Sequence, residues 1–503
     1  MNRQYYLLNE PFCLRGYEKL PYGLLHRPDN SIGFVDKDTF WALSLCDGKT
    51  DCSLPIFPEK VRSILPELVK KGIARVCEYG AALTADQQYR KYENRYIRTA
   101  HWSITGKCNY RCRHCYMSAP EAKLGELSHE TIMDLIRQID ECGITQVSLT
   151  GGEPLVRSDF EDIVRELSSR KIRITQIYSN GFLVNEKLLD MLEGYGQKPE
   201  FNMSYDGDEG MHDWLRGIDR AGEIVLKAFD LCAQRGFPTG SELCLHQRNK
   251  HLLRQSINTL GAHGVSSCKV NPVSETELWL RTTGEHASIE IEELFEIYLD
   301  YVPHFFEDGM PLSLMLGGFF WGGKGRRDYR VPFEKYPADA DCSRMTLCGH
   351  ARNTLYLSPE GRMLPCLSLS SFDEIQKDFP LVTEIGLKTG LTDSSYMKLI
   401  DTRLEELWEV NKTCGSCQYR TRCGGSCRAS ALCTPGNDLM GCDRAACLYF
   451  GGHYDQKLRD KLSGMADLSE EENAERTRNH LYAPRLNICC ALWLPQNHKG
   501  IFL

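Results

Sequence analysis

Between residues 101 and 272, short apolar runs alternate with longer runs in which apolar residues recur every three or four positions. HETIMDLIRQIDECG sets Ile132, Leu135, Ile136 and Ile139 on one face of a helix that ends at Gly143. QVSLT (146–150) predicts a strand, Phe160, Ile163, Val164 and Leu167 repeat the helical spacing, and KIRITQIYSN predicts the next strand. FNMSYDG alternates Phe201, Met203 and Tyr205, while Ile224, Val225, Ala228, Phe229 and Cys232 mark another helix. HWSIT (101–105), SELCLHQ and SCKVNP complete a series of six strand–helix units. Such alternation predicts an α/β domain on a parallel sheet, and the pattern by itself leaves a curved and a doubly wound sheet both open. Either way, reactive groups belong in the loops at the carboxyl ends of the strands.

The chain has 503 residues, too many for one ordinary domain, and divides into four zones. Residues 1–90 are a small module, 97–310 the repeating domain, 340–450 a cysteine- and glycine-rich domain, and 451–503 a charged stretch with an apolar ending. GGFFWGGKGRRDYR reads as a loop between the second and third zones. Hydrophobic residues at 42% and charged residues at 25% exclude wholesale disorder. A net charge of −8 gives no reason to expect nucleic acid as a partner. No apolar run approaches the ~20 residues of a membrane span, so no membrane partner is expected. The first residues lack the basic and apolar regions of an export signal, and the expected location is cytoplasmic.

Cysteine changes this picture. There are 23, ten of them between Cys342 and Cys447. In a reducing compartment such density points to metal or catalysis rather than disulfides. Cys108, Cys112 and Cys115 form a C-x3-C-x2-C run directly after the first strand. Three such thiolates suit three irons of a cubane [4Fe–4S] cluster, leaving the fourth iron open. A zinc set short of its fourth ligand, or packed core cysteines, are the plainer alternatives.

This run, in this place, resembles the radical S-adenosylmethionine (radical SAM) enzymes, and the resemblance extends over residues 97–280. Gly151-Gly152-Glu153-Pro154 follows the second strand, Tyr178-Ser179-Asn180-Gly181 the third, and Ser204-Tyr205-Asp206-Gly207 the fourth, leading into His212-Asp213-x-x-Arg216-Gly217. The resemblance implies a partial (β/α)6 TIM-type barrel. It also implies an S-adenosylmethionine-binding [4Fe–4S] cluster on Cys108, Cys112 and Cys115, and cosubstrate contacts from Gly151, Gly152, Glu153, Asn180, Ser204 and Arg216. The activity implied is oxidoreductase chemistry through a 5′-deoxyadenosyl radical that takes a hydrogen atom from substrate. No general acid or base stands out, since Asp206, Glu153, His212 and Tyr178 serve equally well as structural groups.

Downstream, C342-x5-C348-x12-G361-x4-C366 and C414-x2-C417-x5-C423-x3-C427, followed by Cys447, resemble the SPASM extension of peptide-modifying radical enzymes. LYLSPEGRMLPC predicts a hairpin turning at Pro359-Glu360-Gly361 that brings Cys348 and Cys366 together. The resemblance implies two auxiliary [4Fe–4S] clusters, one on Cys342, Cys348, Cys366 and Cys427, the other on Cys414, Cys417, Cys423 and Cys447. Cys442 and Cys433 remain open as the last ligand of the second set. Cys13, Cys46, Cys52, Cys77, Cys142, Cys232, Cys244, Cys268, Cys489 and Cys490 read as packed or spare thiols.

SIGFVDKDTFWALSLCDGKTD and KVRSILPELVKKGIARV, within residues 5–80, resemble the winged-helix, PqqD-like peptide-recognition domain of peptide maturases. In that family a leader peptide adds a strand to the domain's sheet edge. The function implied is maturation of a ribosomally made (RiPP) precursor peptide by crosslinking, most simply a thioether of the sactipeptide type. The partners implied are a precursor with a leader and a small electron donor such as flavodoxin or ferredoxin. Alternatives are a modifier of a protein side chain or a tetrapyrrole, and a non-catalytic iron–sulfur or zinc scaffold.

Overall fold

The computed structural model describes residues 3–469 apart from 116, 118, 120–123, 274–276, 284–287, 435 and 437. The terminal stretch from 470 onward, with Cys489 and Cys490, lies outside the described residues.

The expected strands form one parallel run in chain order: Thr99–Ser103, Gln146–Thr150, Arg173–Ser179, Glu200–Ser204, Thr239–Leu245 and Ser267–Pro272. A seventh, Ser313–Leu316, pairs parallel with the sixth. Their outer faces carry Ala100, Trp102, Val147, Leu149, Ile174, Ile177, Phe201 and Met203, all fully buried in the main core. The helices that cover them are those the periodicity predicted. His129–Glu141 buries Ile132, Leu135, Ile136 and Ile139, and Phe160–Ser169 buries Phe160, Ile163, Val164 and Leu167.

Curvature is settled by the inward side chains. On a flat sheet the first and sixth strands would stand about 24 Å apart, five spacings of ~4.8 Å. Lys269 on the sixth strand is nevertheless close enough for its charge to depress the basicity of His101 on the first, after burial and His350. The sheet is therefore rolled into an open, partial barrel and is not doubly wound.

The stretch expected as a loop, GGFFWGGKGRRDYR, contains two strands, Phe320–Gly322 and Asp328–Arg330, which extend the sheet antiparallel from Ser313–Leu316. Its glycines mask the buried aromatic residues Phe320 and Tyr329, which stack on each other across the pair. At the opposite edge the expected hairpin is present, Thr354–Leu357 with Met363–Leu364. Its first strand pairs parallel with Thr99–Ser103, so this hairpin is stitched to the first barrel strand.

The N-terminal module has two sheets, Tyr5–Leu8 with Ala74–Cys77, and a four-stranded one ordered Ser31–Phe34, Leu20–His26, Phe12–Glu18, Arg90–Arg95. The helices Lys37–Ser44 and Glu59–Lys70 bury Leu43, Val61, Leu65 and Leu68 against them. Tyr17 Oη donates to Gly143 O (2.7 Å), and Asn30 Nδ2 donates to Thr145 O (2.9 Å) and Lys171 O (2.8 Å). All three acceptors precede barrel strands, so the module sits at the amino ends, away from the cysteine loop. No helix among the described residues is long and apolar enough to cross a membrane.

Candidate active site at the carboxyl ends of the strands

The loop carrying Cys108, Cys112 and Cys115 is fastened on two sides by backbone hydrogen bonds. Gly152 N donates to Thr105 O and Glu153 N to Lys107 O, each at 2.9 Å. A Cβ on Gly152 would lie 2.3 Å from Lys107 O, so only glycine allows this approach. On the other side, Arg111 N donates to Arg216 O (3.3 Å) and Arg113 N to Leu215 O (2.9 Å), tying the loop to the end of the helix Glu209–Arg216.

Each sulfur of the triplet has at least one N–H donor. Tyr110 N donates to Cys108 and Ala119 N to Cys115, both at 3.4 Å, and Arg216 Nη1 donates to Cys112 at 3.8 Å. Burial pushes the Cys108 thiol up to about 12, and the Cys112 thiol is also raised by burial.

Glu153 is wholly buried. Its carboxyl group accepts from Asn180 N (2.7 Å), Leu155 N (3.1 Å) and Ser179 Oγ (3.1 Å). Burial raises it to about 7 against these hydrogen bonds. Asn180 Nδ2 donates to Asn109 Oδ1 (2.7 Å) and approaches Cys108 Sγ (3.9 Å). Ser204 ends the fourth strand, half-buried. Asp206 is fully buried, yet its carboxyl is held well below the usual range, because Arg216 and His212 outweigh the cost of burial. Gly151, Gly152, Glu153, Asn180 and Arg216 thus surround the cysteine loop, as the strand order requires.

Residues 102–259 match the radical SAM superfamily. The chain carries a radical SAM domain, and it is an enzyme. Among curated proteins it is similar to the antilisterial bacteriocin subtilosin biosynthesis protein AlbA of Bacillus subtilis, with 24% identity over 65% of this chain and 66% of AlbA. It is also similar to the AdoMet-dependent heme synthase of Methanosarcina barkeri, with 23% identity over 70% of this chain and 96% of that protein. Among solved structures, Streptococcus suis SuiB bound to precursor peptide SuiA shares the fold at TM-score 0.59 and 14% identity, over 88% of this chain and 99% of SuiB.

A radical SAM domain takes S-adenosylmethionine and a [4Fe–4S] cluster, and the residues present fit both. The three sulfurs each have an N–H donor, as ligating thiolates require. Thiols raised this far by burial ionise when a metal takes the sulfur. Among the described residues no three His, Cys, Asp or Glu side chains are disposed around one metal ion. Cubane thiolates bind different irons, so their spacing is set by the cluster and not by a single ion.

The barrel interior holds a polar wall that a search for apolar periodicity passes over. His101 pairs with Ser148, Ser148 with Gln176, and Gln176 with Glu200 in cross-strand register. Farther round, Ser204 pairs with Glu242 and Glu242 with Lys269. Apart from the buried Ser148 these inward residues are accessible in part or more, whereas their outward neighbours Phe201, Met203, Leu243 and Val270 are buried. The signal was the polar half of each alternating strand. His101 is depressed to about 4 by burial first, then by His350 and Lys269, and its Nε2 is buried with no hydrogen-bond partner. Ser103 Oγ and Tyr356 Oη lie 2.7 Å apart, joining this wall to the strand Thr354–Leu357.

The downstream cysteines fall into two groups. Cys366 is raised to about 12 by burial and by Cys348 and Cys427, and Cys427 is likewise affected by Cys348. Cys342 is buried with Leu347, Leu404 and Leu407, in an apolar cluster against which Cys414 also packs. Exposed Cys433 lies within charge range of Cys427. The second group joins Cys414, Cys417, Cys423 and Cys447 and adds Cys442, whose sulfur is 3.6 Å from that of Cys414. Of the cysteines read as packed, Cys13, Cys46, Cys52, Cys142, Cys232 and Cys268 are buried, and Cys77 and Cys244 are partly buried.

Proposed function

We propose that this enzyme matures a ribosomally made precursor peptide by installing a crosslink, most simply a thioether between a cysteine sulfur and a carbon of an acceptor residue. The observation that carries this reading is the pairing of Thr354–Leu357 with Thr99–Ser103. That pairing supports the reading by joining the strand between Cys348 and Cys366 to the first barrel strand, the one that leads into the loop of Cys108, Cys112 and Cys115. AlbA is named for subtilosin biosynthesis and SuiB is seen with a precursor peptide, and both names point the same way.

Cys108, Cys112 and Cys115 would hold the cluster, which with the cosubstrate would supply abstraction of a hydrogen atom from substrate. The chain's share begins with position. Gly151-Gly152 and the backbone bonds to Thr105 and Lys107 hold the cysteine loop against the barrel mouth, and the polar wall holds the peptide within reaching distance. Forming the thioether removes two hydrogens from substrate. One leaves as an atom; the thiol's proton and one electron remain to be taken up. The proton leaves to water, since His101, lowered to about 4 by burial, is too weakly basic to take it from a thiol.

The two cysteine groups are proposed to hold two auxiliary [4Fe–4S] clusters in a SPASM domain, on Cys348, Cys366 and Cys427 with Cys342, and on Cys414, Cys417, Cys423 and Cys447. They stand where an electron acceptor is needed. Residues 1–90 are proposed to bind the leader. Six of the nine large apolar side chains that stand exposed among the described residues lie there: Trp41, Leu54, Ile56, Val76, Tyr79 and Tyr89. A flavodoxin or ferredoxin is the proposed donor.

The test is co-expression with a precursor peptide encoded beside this chain, followed by mass spectrometry. A product lighter by two hydrogens is expected, together with tight leader binding by the N-terminal module. A tetrapyrrole turned over with no peptide bound would refute the reading.

A further inference from the structure

Arg216 is a buried cation, and each of its three nitrogens has a partner. Nε and Nη2 both meet Asp206 Oδ2, at 2.8 and 2.7 Å. Asp206 Oδ1 accepts from Cys244 N at 2.9 Å, and His212 Nδ1 lies 3.1 Å from Oδ2, so the carboxylate is itself fixed in place. One nitrogen of the guanidinium is left, Nη1, and it points at Cys112 Sγ, 3.8 Å away. The backbone sets this aim. Arg111 and Arg113 bond to the carbonyls of Arg216 and Leu215. Gly217 follows at φ +67°, where a Cβ would lie 2.5 Å from Arg111 O. The last turn of Glu209–Arg216 is thereby pressed onto the cysteine loop.

We propose that Arg216, positioned by Asp206, tunes the reduction potential of the cluster held by Cys108, Cys112 and Cys115 through an N–H···S hydrogen bond to Cys112. This inference rests on the radical SAM cofactor assignment. Reduction adds one negative charge to the cluster. A donor aimed at a ligating sulfur favours the reduced form, and hydrogen bonds to sulfur are among the main controls of cluster potential. Asp206 opposes the effect but stands on the far side of the guanidinium, so the nearer positive end of the pair prevails in this water-poor site. The potential is raised toward the range of a small donor protein.

The experiment is a redox titration of the reconstituted holoenzyme followed by electron paramagnetic resonance, with and without S-adenosylmethionine. The signal that changes on cosubstrate addition identifies the relevant cluster. Two variants are compared with the wild type. One is the double variant Arg216→Gln/Asp206→Asn, which removes both buried charges together; the other is Asp206→Asn alone, which frees the arginine. Arg216→Lys serves wherever the double variant fails to retain iron. At a fixed donor potential the ratio of reduced to oxidised cluster is expected to fall at least tenfold in the double variant, about 59 mV for one electron, and not to fall in Asp206→Asn, which removes only the opposing charge. An unchanged potential in the double variant sinks the inference, whether or not cosubstrate affinity drops. A wild-type protein that assembles no cluster on Cys108, Cys112 and Cys115 would instead refute the cofactor assignment itself.

Discussion

His101 and Tyr178 lie ring on ring inside the barrel, their centroids 5.0 Å apart and their planes 17° from parallel. The stack clamps the imidazole, with Tyr356 edge-on at 5.8 Å, so the unpartnered Nε2 has one fixed direction. His101→Ala is expected to leave cosubstrate cleavage in place while crosslinked product falls about 100-fold, the loss expected when a wall residue that positions the peptide is removed. Quantifying 5′-deoxyadenosine and product in the same reaction separates the two. Equal yields of product from variant and wild type would remove His101 from this role.

Glu153 predicts a pH dependence. Its carboxyl stands at about 7 in the folded protein against an ordinary 4.5, because burial outweighs its hydrogen bonds. Between those values the folded state keeps a proton that the unfolded chain has released, so stability falls as pH rises and the loss is complete above about 7. Its size is on the order of 3 kcal/mol. Urea unfolding of the cluster-loaded protein without cosubstrate, at pH 5 and pH 8, should show this loss. Glu153→Gln, neutral throughout, should flatten it.

The second downstream group offers five thiols, Cys414, Cys417, Cys423, Cys442 and Cys447, to the four positions of a cluster. Neither Cys442→Ser nor Cys447→Ser alone should strip it, whereas the double variant should lose about four irons. Iron and sulfide analysis decides. Full loss in one single variant would name that cysteine as the sole fourth ligand.

Module and cysteine loop stand at opposite ends of the barrel, separated by strands of five to seven residues, or roughly 17–23 Å. A leader bound at residues 1–90 must therefore be followed by a spacer that passes around the barrel, at least about ten extended residues. Shortening it below about six residues should abolish crosslinking with leader binding intact, as read by mass spectrometry and calorimetry. Modification of such a shortened precursor would exclude the module as the leader site.

The elements legible in advance were those whose signals are local. Ile132, Leu135, Ile136 and Ile139 fall on one helix face within two turns. The glycine-rich stretch around Phe320–Gly322 misled because its partners, Ser313–Leu316 and Asp328–Arg330, had first to be recognised as strands. Cys342 shows the same limit. Its spacing matches a ligand of the first auxiliary group, while its burial with Leu347, Leu404 and Leu407 depends on contacts that spacing does not carry.

The sequence by itself determined the six parallel strands, their covering helices and the cysteine triplet, because alternation, helical period and one short loop are all written within a few residues. Tertiary structure alone decided the curvature of the sheet, the polar wall, the meeting of Ser103 with Tyr356 across 253 residues, and the aim of Arg216 at Cys112 across 104. Those relations arise when distant segments pair or bury a shared charge. The free energy that selects such pairings is spread over the whole packed barrel and not held in any stretch of chain.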